Sequence, residues 1–249
     1  MSLPCPVQIH AVGAENSVIL NDRFEGARLN KQSLGIWGSF VLAVLLFIGS
    51  AAASYQEILP YIVGGRDAEG KKQFMAEAGP PLGLSLQAQR LVLDDCYQAV
   101  SSLIGAEKTA PGTQLAENCR QVAEDIIAQS PVFSYAWFVL ALTHSLDGVS
   151  DEFKTALAKS QETTANQWAM ASLRLWLGYQ HWGDLGAPLQ EQLGADIGVL
   201  ATTGPGRTWL AARYRENDGF REDVVASLEK TSPDIQRAFV RALSSLGAQ

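Results

Sequence analysis

The sequence predicts an all-α protein: one N-terminal transmembrane helix followed by an α-solenoid of stacked antiparallel helical hairpins. Three observations predict it. The segment Leu34–Ala53, LGIWGSFVLAVLLFIGSAAA, runs twenty residues without a charged side chain. At about 1.5 Å rise per residue it matches a hydrocarbon core roughly 30 Å thick. Beyond it, no stretch alternates with period two for long enough to make a strand. From Leu84 onward, segments rich in Ala, Leu, Gln and Glu are instead separated by short breakers, as in a bundle of short helices.

Residues 1–33 have mixed polarity and no sustained period, and read as a mostly flexible cytoplasmic tail. The transmembrane helix occupies 34–53 and can extend to 63. Trp37 lies near one end and Tyr55 and Tyr61 just past the other, at the two headgroup levels that amphipathic rings favour. Arg23, Arg28 and Lys31 precede the segment, and Arg66, Lys71 and Lys72 follow it. Arg28 and Lys31 lie closest to the helix, which puts the N-terminus in the cytoplasm. Ala51-Ala52-Ala53 also resembles a signal-peptidase site, but secretory apolar regions are about 7–15 residues long behind a short leader. A buried core helix would carry a polar stripe, which this segment lacks.

Residues 64–83 contain Gly64, Gly65, Gly70, Gly79, Pro80, Pro81 and Gly83, and read as a linker. Residues 84–249 read as an extracytoplasmic repeat-like domain of about nine helices joined by short turns, which makes neighbours antiparallel. The breakers are Gly105–Gly112, Ser130-Pro131, Asp147–Ser150, Thr163–Ala165, Gly183–Pro188, Gly204–Gly206, Asp218-Gly219 and Ser232-Pro233. At the two Ser-Pro pairs, serine can cap the free N–H groups, and proline suits the first helical position. Ala136–Leu146 and much of Trp168–Trp182 are apolar nearly all round, so they need neighbours on both sides.

The net charge of −7 falls wholly on residues 54–249. Such a domain lacks the Lys and Arg clusters that hold a phosphate backbone, which excludes nucleic acid as a main partner. It also disfavours electrostatic docking on anionic lipid. Cys5 lies in the tail, whereas Cys96 and Cys119 lie beyond the membrane and flank one inter-helix loop. A disulfide there would close a loop of about 24 residues, worth roughly 3 kcal/mol. The alternative is two small buried thiols.

Chemistry is sparse. His10, His144 and His181 are far apart, and no zinc, phosphate-loop, dinucleotide or nucleophile-elbow motif is present. The expectation is therefore no catalytic residue, no cofactor and no metal. His144 with Asp147, and His181 with Asp184, are i,i+3 pairs of the kind found at helix ends. Asp94-Asp95 and Glu216, Asp218, Glu222 and Asp223 read as solvated helix faces rather than acid–base pairs. Trp168, Trp176, Tyr179 and Trp182 read as one helix, with Trp137 and Trp209 elsewhere. Core packing is the expected role for most of these rings, stacking on a ligand the alternative.

Trp137, Leu140, Ala141 and His144 reproduce the first-helix spacing of a tetratricopeptide repeat, with His where an aromatic is usual. Cys119, Ala123, Ile126 and Pro131 match the second helix of an earlier unit, as do Val225, Leu228 and Pro233 near the end. Trp137 to Trp168 is 31 residues rather than the usual 34, and Phe153 stands where a small residue is expected. The chain thus resembles a degenerate tetratricopeptide-repeat array over about residues 85–246. The resemblance implies a partner-binding groove lined by Tyr135, Phe138, Leu142, Asn166, Ala169 and Leu173. It is similar to single-pass bacterial inner-membrane proteins of the translocon-accessory and envelope-assembly type, with the C-terminal domain in the periplasm.

The function expected from these features is a non-enzymatic, membrane-anchored scaffold that binds protein partners in a secretion, surface-polysaccharide or envelope-assembly machine. The bilayer is a second partner, through residues 34–53. Two alternatives stand beside it. One is a glycan-binding or glycan-processing domain; the other is a structural subunit packing through Gly35, Gly38, Gly49 and Ser50.

Overall fold

The computed structural model describes residues 21–64, 67–216 and 218–246, with side chains from Trp37 onward. Cys5, His10 and the tail up to residue 20, together with Gly65 and Arg66, lie outside the described residues. Every element among the described residues is helical. They are α1 (Asn21–Gly64), α2 (Ala68–Glu77), α3 (Leu86–Ser101), α4 (Ala110–Gln129), α5 (Ser134–Ser145) and α6 (Asp151–Thr163). Then come α7 (Trp168–Tyr179), a 3-10 turn (Trp182–Asp184), α8 (Ala187–Thr202), α9 (Gly204–Glu216), α10 (Asp218–Glu229) and α11 (Pro233–Leu246). Nine of these α-helices follow Leu84 among the described residues, the number that the breakers predict.

The chain divides at Ser54 into two units. The first carries α1 up to Ser54. In it Phe40, Leu45, Phe47 and Ile48 are all exposed, so its apolar surface faces outward. The stretch Trp37–Val63 is long and apolar enough to cross a membrane. Residues 21–33 are helical where the sequence suggests a flexible tail. An established helix extends at one hydrogen bond per added residue, which lets it grow past its apolar part.

The second unit opens with the last turns of α1 and then departs from the expected linker. Residues 68–77 form α2, because Asp67 caps Gly70 N–H and the Met75 side chain is buried. Two partners distant in sequence hold it. Lys71 pairs with Asp95 of α3 at 2.6 Å. Asn118 of α4 donates to the carbonyls of Met75 and Ala76 at 2.7 and 3.1 Å, satisfying groups that a helix end leaves open.

Sequential helices pack on one another, and several helices two apart also touch: α3 meets α5, α5 meets α7, α7 meets α9 and α9 meets α11, while α2 meets α4, α6 meets α8 and α8 meets α10. Helix α5, apolar all round, touches α3, α4, α6 and α7, and only Trp137 and His144 escape full burial. Cys96 and Cys119 are joined by a disulfide with Cα atoms 5.6 Å apart, tying α3 to α4.

Ser130-Pro131 does not start a helix. The Phe133 N–H donates to Ser130 O, so proline sits second in a tight turn, a position its fixed φ suits. The Trp137 indole donates to Pro131 O at 2.8 Å and holds the turn against α5. Pro233, by contrast, opens α11 as the Ser-Pro spacing predicts. The aromatic run also breaks earlier than predicted: α7 ends at Tyr179, and Trp182 starts the 3-10 turn. Gly186, at φ 80°, then redirects the chain into α8.

A fully buried ion pair sits where α6, α7 and α8 meet. Arg174 donates twice to Asp196, at 2.7 and 2.8 Å, and also to the carbonyls of Ser160 and Thr164. Neither side chain has any exposure. Burial pushes the Asp196 carboxyl up, and the Arg174 guanidinium pulls it back toward the charged form. Arg174→Met would strand a buried carboxylate and should cost about 3–5 kcal/mol in urea unfolding followed by tryptophan fluorescence. The double variant Arg174→Met/Asp196→Leu should recover most of that loss, because no unpaired charge remains. Reducing the disulfide should separately lower the unfolding free energy by about 3 kcal/mol, read by the same assay with and without reductant.

Candidate functional site

The residues expected to line a groove do not do so together. Phe138 and Leu142 have no exposed surface and Tyr135 only 9%, because α5 is enclosed on every side. Tyr135 and Phe138 belong instead to a run of aromatic rings that leads outward from the interior. Tyr135 stacks on Phe138, Phe138 meets Tyr97, and Tyr97 meets the edge of Trp176, with centroids 5.9–6.1 Å apart. The Tyr135 hydroxyl is paired with Asp94, and burial with this carboxylate pushes its pKa up. Asn166 is exposed, and Ala169 and Leu173 are half-buried. Ala169 and Leu173 lie on the α7 stripe that leads to Trp176.

The open concavity lies one hairpin further along, between α7 and α9. It holds about 360 Å³ and is walled by Leu175, Trp176, Tyr179, Trp209 and Phe220, with Gln180, Arg213 and Glu216 at its edge. A volume of this order suits a small ring system or one or two side chains. Tyr179 organises the wall. Its ring packs edge-on to Phe220 at 4.2 Å and stacks on Trp182 at 4.9 Å. Its hydroxyl donates to Asp223 at 2.6 Å, and burial beside that carboxylate keeps it protonated. Arg213 lies over the Trp209 ring, 5.8 Å from its centroid, and pairs with Glu216 at 2.6 Å.

Local rules explain why these groups converge. Trp209, Arg213 and Glu216 follow the i, i+4, i+7 spacing of one helical face, and Leu175, Trp176 and Tyr179 lie on adjoining stripes of α7. Gly178 lets α8 approach the back of α7, since a Cβ there would collide with Leu193. Sequence reasoning flagged Trp176, Tyr179, Trp209 and Glu216 singly but missed Arg213, Gln180 and Phe220 as part of a site. The spacing on α9 was the available signal.

The acids are dispersed. Asp95 pairs with Lys71, Asp218 with Arg221, Asp223 with Tyr179 and Glu216 with Arg213, while Glu222 is exposed. Glu216 is the one carboxylate lining the cleft among the described residues, so no facing pair is formed there. Among these residues, no three of His, Cys, Asp and Glu group to hold a metal. Comparison with protein-family models, with curated proteins and with solved structures finds no match.

A second recess of about 450 Å³ lies beside the C-terminal ends of α5 and α7, shares Gln180 with the cleft, and is lined in part by Leu103, Thr109, Arg120, Thr143, Leu146 and His181. Its cations are already engaged: Arg120 contacts Glu117 and Asp147, and Lys108 contacts Asp147. Arg213 at the cleft is engaged in the same way, so what favours the cleft as a ligand site is its wall of aromatic rings, which the recess lacks.

His181 at this recess and His144 nearby are both held below the usual imidazole value of 6.5. Burial is the main cause for each, with Arg120 adding to it at His144 and Asp184 opposing it at His181. Their folded pKa values lie below the unfolded one, so their contribution to stability is full above about pH 6.5 and is lost as pH falls through the lowered values. The melting temperature should fall between about pH 7 and about pH 5.5. In thermal scans, the double variant His144→Leu/His181→Gln should show a shallower fall.

Proposed function

We propose that this protein is a membrane-anchored, non-enzymatic binding module, with α1 crossing a bacterial inner membrane and the helical unit in the periplasm. In this reading the packed helices form an α-solenoid, a degenerate tetratricopeptide-like array. The function is to hold a protein partner within a cell-envelope machine. The observation that carries it is the aromatic cleft between α7 and α9, built for contact and lacking paired catalytic groups. The cleft presents Trp, Tyr and Arg, the residue types that dominate binding hot spots. The exposed apolar length of α1 supports the anchor, and the Cys96–Cys119 disulfide supports an oxidising compartment. Tethering raises the effective concentration of the module near other membrane proteins without new contacts.

A second reading is favoured by one feature of the same cleft. Trp176 and Trp209 are only half-buried, and half-exposed indole faces stack on sugar rings as well as on peptide side chains. An envelope glycan is therefore the alternative ligand, bound rather than processed.

A photo-crosslinking residue at Arg213 of the full-length protein in its native membrane should capture one specific envelope protein, identified by mass spectrometry. Trp209→Ala should abolish that adduct while leaving expression and the melting temperature near wild type. If only general membrane neighbours are recovered, and tryptophan fluorescence shifts on adding envelope glycan fragments, the glycan reading replaces the scaffold.

A further inference from the structure

The junction between the end of α1 and the start of α3 carries a surface that the aromatic cleft does not explain. In α1, Glu57, Pro60 and Val63 recur at helical spacing, and Pro60 and Val63 are buried. The Glu57 carboxylate accepts from the Leu84 and Ser85 N–H groups, each at 3.0 Å, and from the Ser85 hydroxyl. Ser85 Oγ in turn accepts from Ala88 N–H and caps α3. Glu57 therefore sits on the positive end of the α3 dipole, with three donors on one carboxylate. This clamp pins the Pro80–Leu86 segment beside the last turns of α1.

The pinned segment is unusual in two ways. Leu84 and Leu86 are 57% and 63% exposed, and on the neighbouring turns of α1 so are Tyr55, Ile58, Tyr61 and Ile62 at 48–63%. No charged side chain occurs from Ala78 to Gln89. Exposed apolar side chains beside the end of a membrane-crossing helix, where the one charge, the Glu57 carboxylate, is already held by three donors, have one natural occupant. The stretch Trp37–Val63 has 27 residues. At about 1.5 Å per residue it is roughly 40 Å long, some 10 Å more than the hydrocarbon core, so its end turns reach the headgroup layer.

We infer that the Pro80–Leu86 segment is a lipid-interface anchor, with Leu84 and Leu86 seated at the headgroup–acyl boundary and held there by Glu57. This rests on the reading of α1 as a membrane span. The contact is apolar, so it does not need anionic lipid and is compatible with an acidic domain. Arg90, the residue that ends the uncharged run and one turn beyond Leu86, can keep its head in water while its stem lies along the boundary.

The test is site-directed spin labelling of the full-length protein in zwitterionic phosphatidylcholine vesicles, in a Cys5→Ser background. Single labels at Phe47→Cys, Leu86→Cys and Val132→Cys are compared for collision with oxygen and with a water-soluble nickel chelate. Val132 is an exposed apolar residue far along the chain from the patch. The expected result is oxygen-dominated collision at 47 and 86 and nickel-dominated collision at 132. Adding Glu57→Ala should raise nickel access at 86 several-fold and leave 47 unchanged. Lipid access at 47 with water access at 86 overturns the interface anchor alone. Water access at both overturns the span and the anchor with it. Dipolar broadening between labels at 86 would place a second copy on the patch and overturn the lipid assignment.

Discussion

The Arg174–Asp196 pair is the constraint on which the central helices depend. Two charges without any exposure are tolerated only when every hydrogen-bonding group finds a partner, and here Arg174 binds both Asp196 oxygens and two carbonyls at the end of α6. Those partners exist in one relative placement of α6, α7 and α8. Leu175 and Trp176 follow Arg174 directly on α7, so the arrangement that satisfies the ion pair also sets the angle at which the cleft wall is presented. Hydrophobic packing alone would allow the helices to slide; the bidentate geometry does not.

The second organising element is aromatic. Tyr135, Phe138 and Tyr97 lead from the interior to Trp176, where the run meets the cleft, and a second set joins Tyr179 to Phe220 and Trp182. Rings in contact transmit rigidity because each has few alternative rotamers. The cleft is thus the exposed end of a packed interior, backed by side chains that cannot easily move aside.

Much of the architecture was legible in the sequence, and the failures share a physical cause. The uncharged run announced α1, and Gly, Pro and Ser breakers announced the helices after Leu84, because those signals are local. Helix α2 was missed because what holds it is distant: Asn118 and Asp95 reach residues 71–76 from other helices. Pro131 was misplaced because a single indole hydrogen bond from Trp137 favours a turn over a helix start. The groove expected at Tyr135, Phe138 and Leu142 fell on α5, although a helix apolar on all sides signals enclosure rather than display. The cleft itself draws on α7, α9 and α10, and no single segment contains enough of it to be seen. For Cys96 and Cys119, the sequence left bonded and free states open, and the structure joins them.

That bond also decides how the protein carries tension. A chain held at α1 and pulled from its far end transmits force along covalent bonds, and the shortest covalent path enters at Cys96 and leaves at Cys119. The residues between them, including Leu103, Thr109 and the rest of that rim of the second recess, lie off the load path. Stretching would peel α9, α10 and α11 away while this loop kept its contour. The recess wall formed by that loop is mechanically sheltered, whereas the aromatic cleft, which draws on α9 and α10, lies on the strained side.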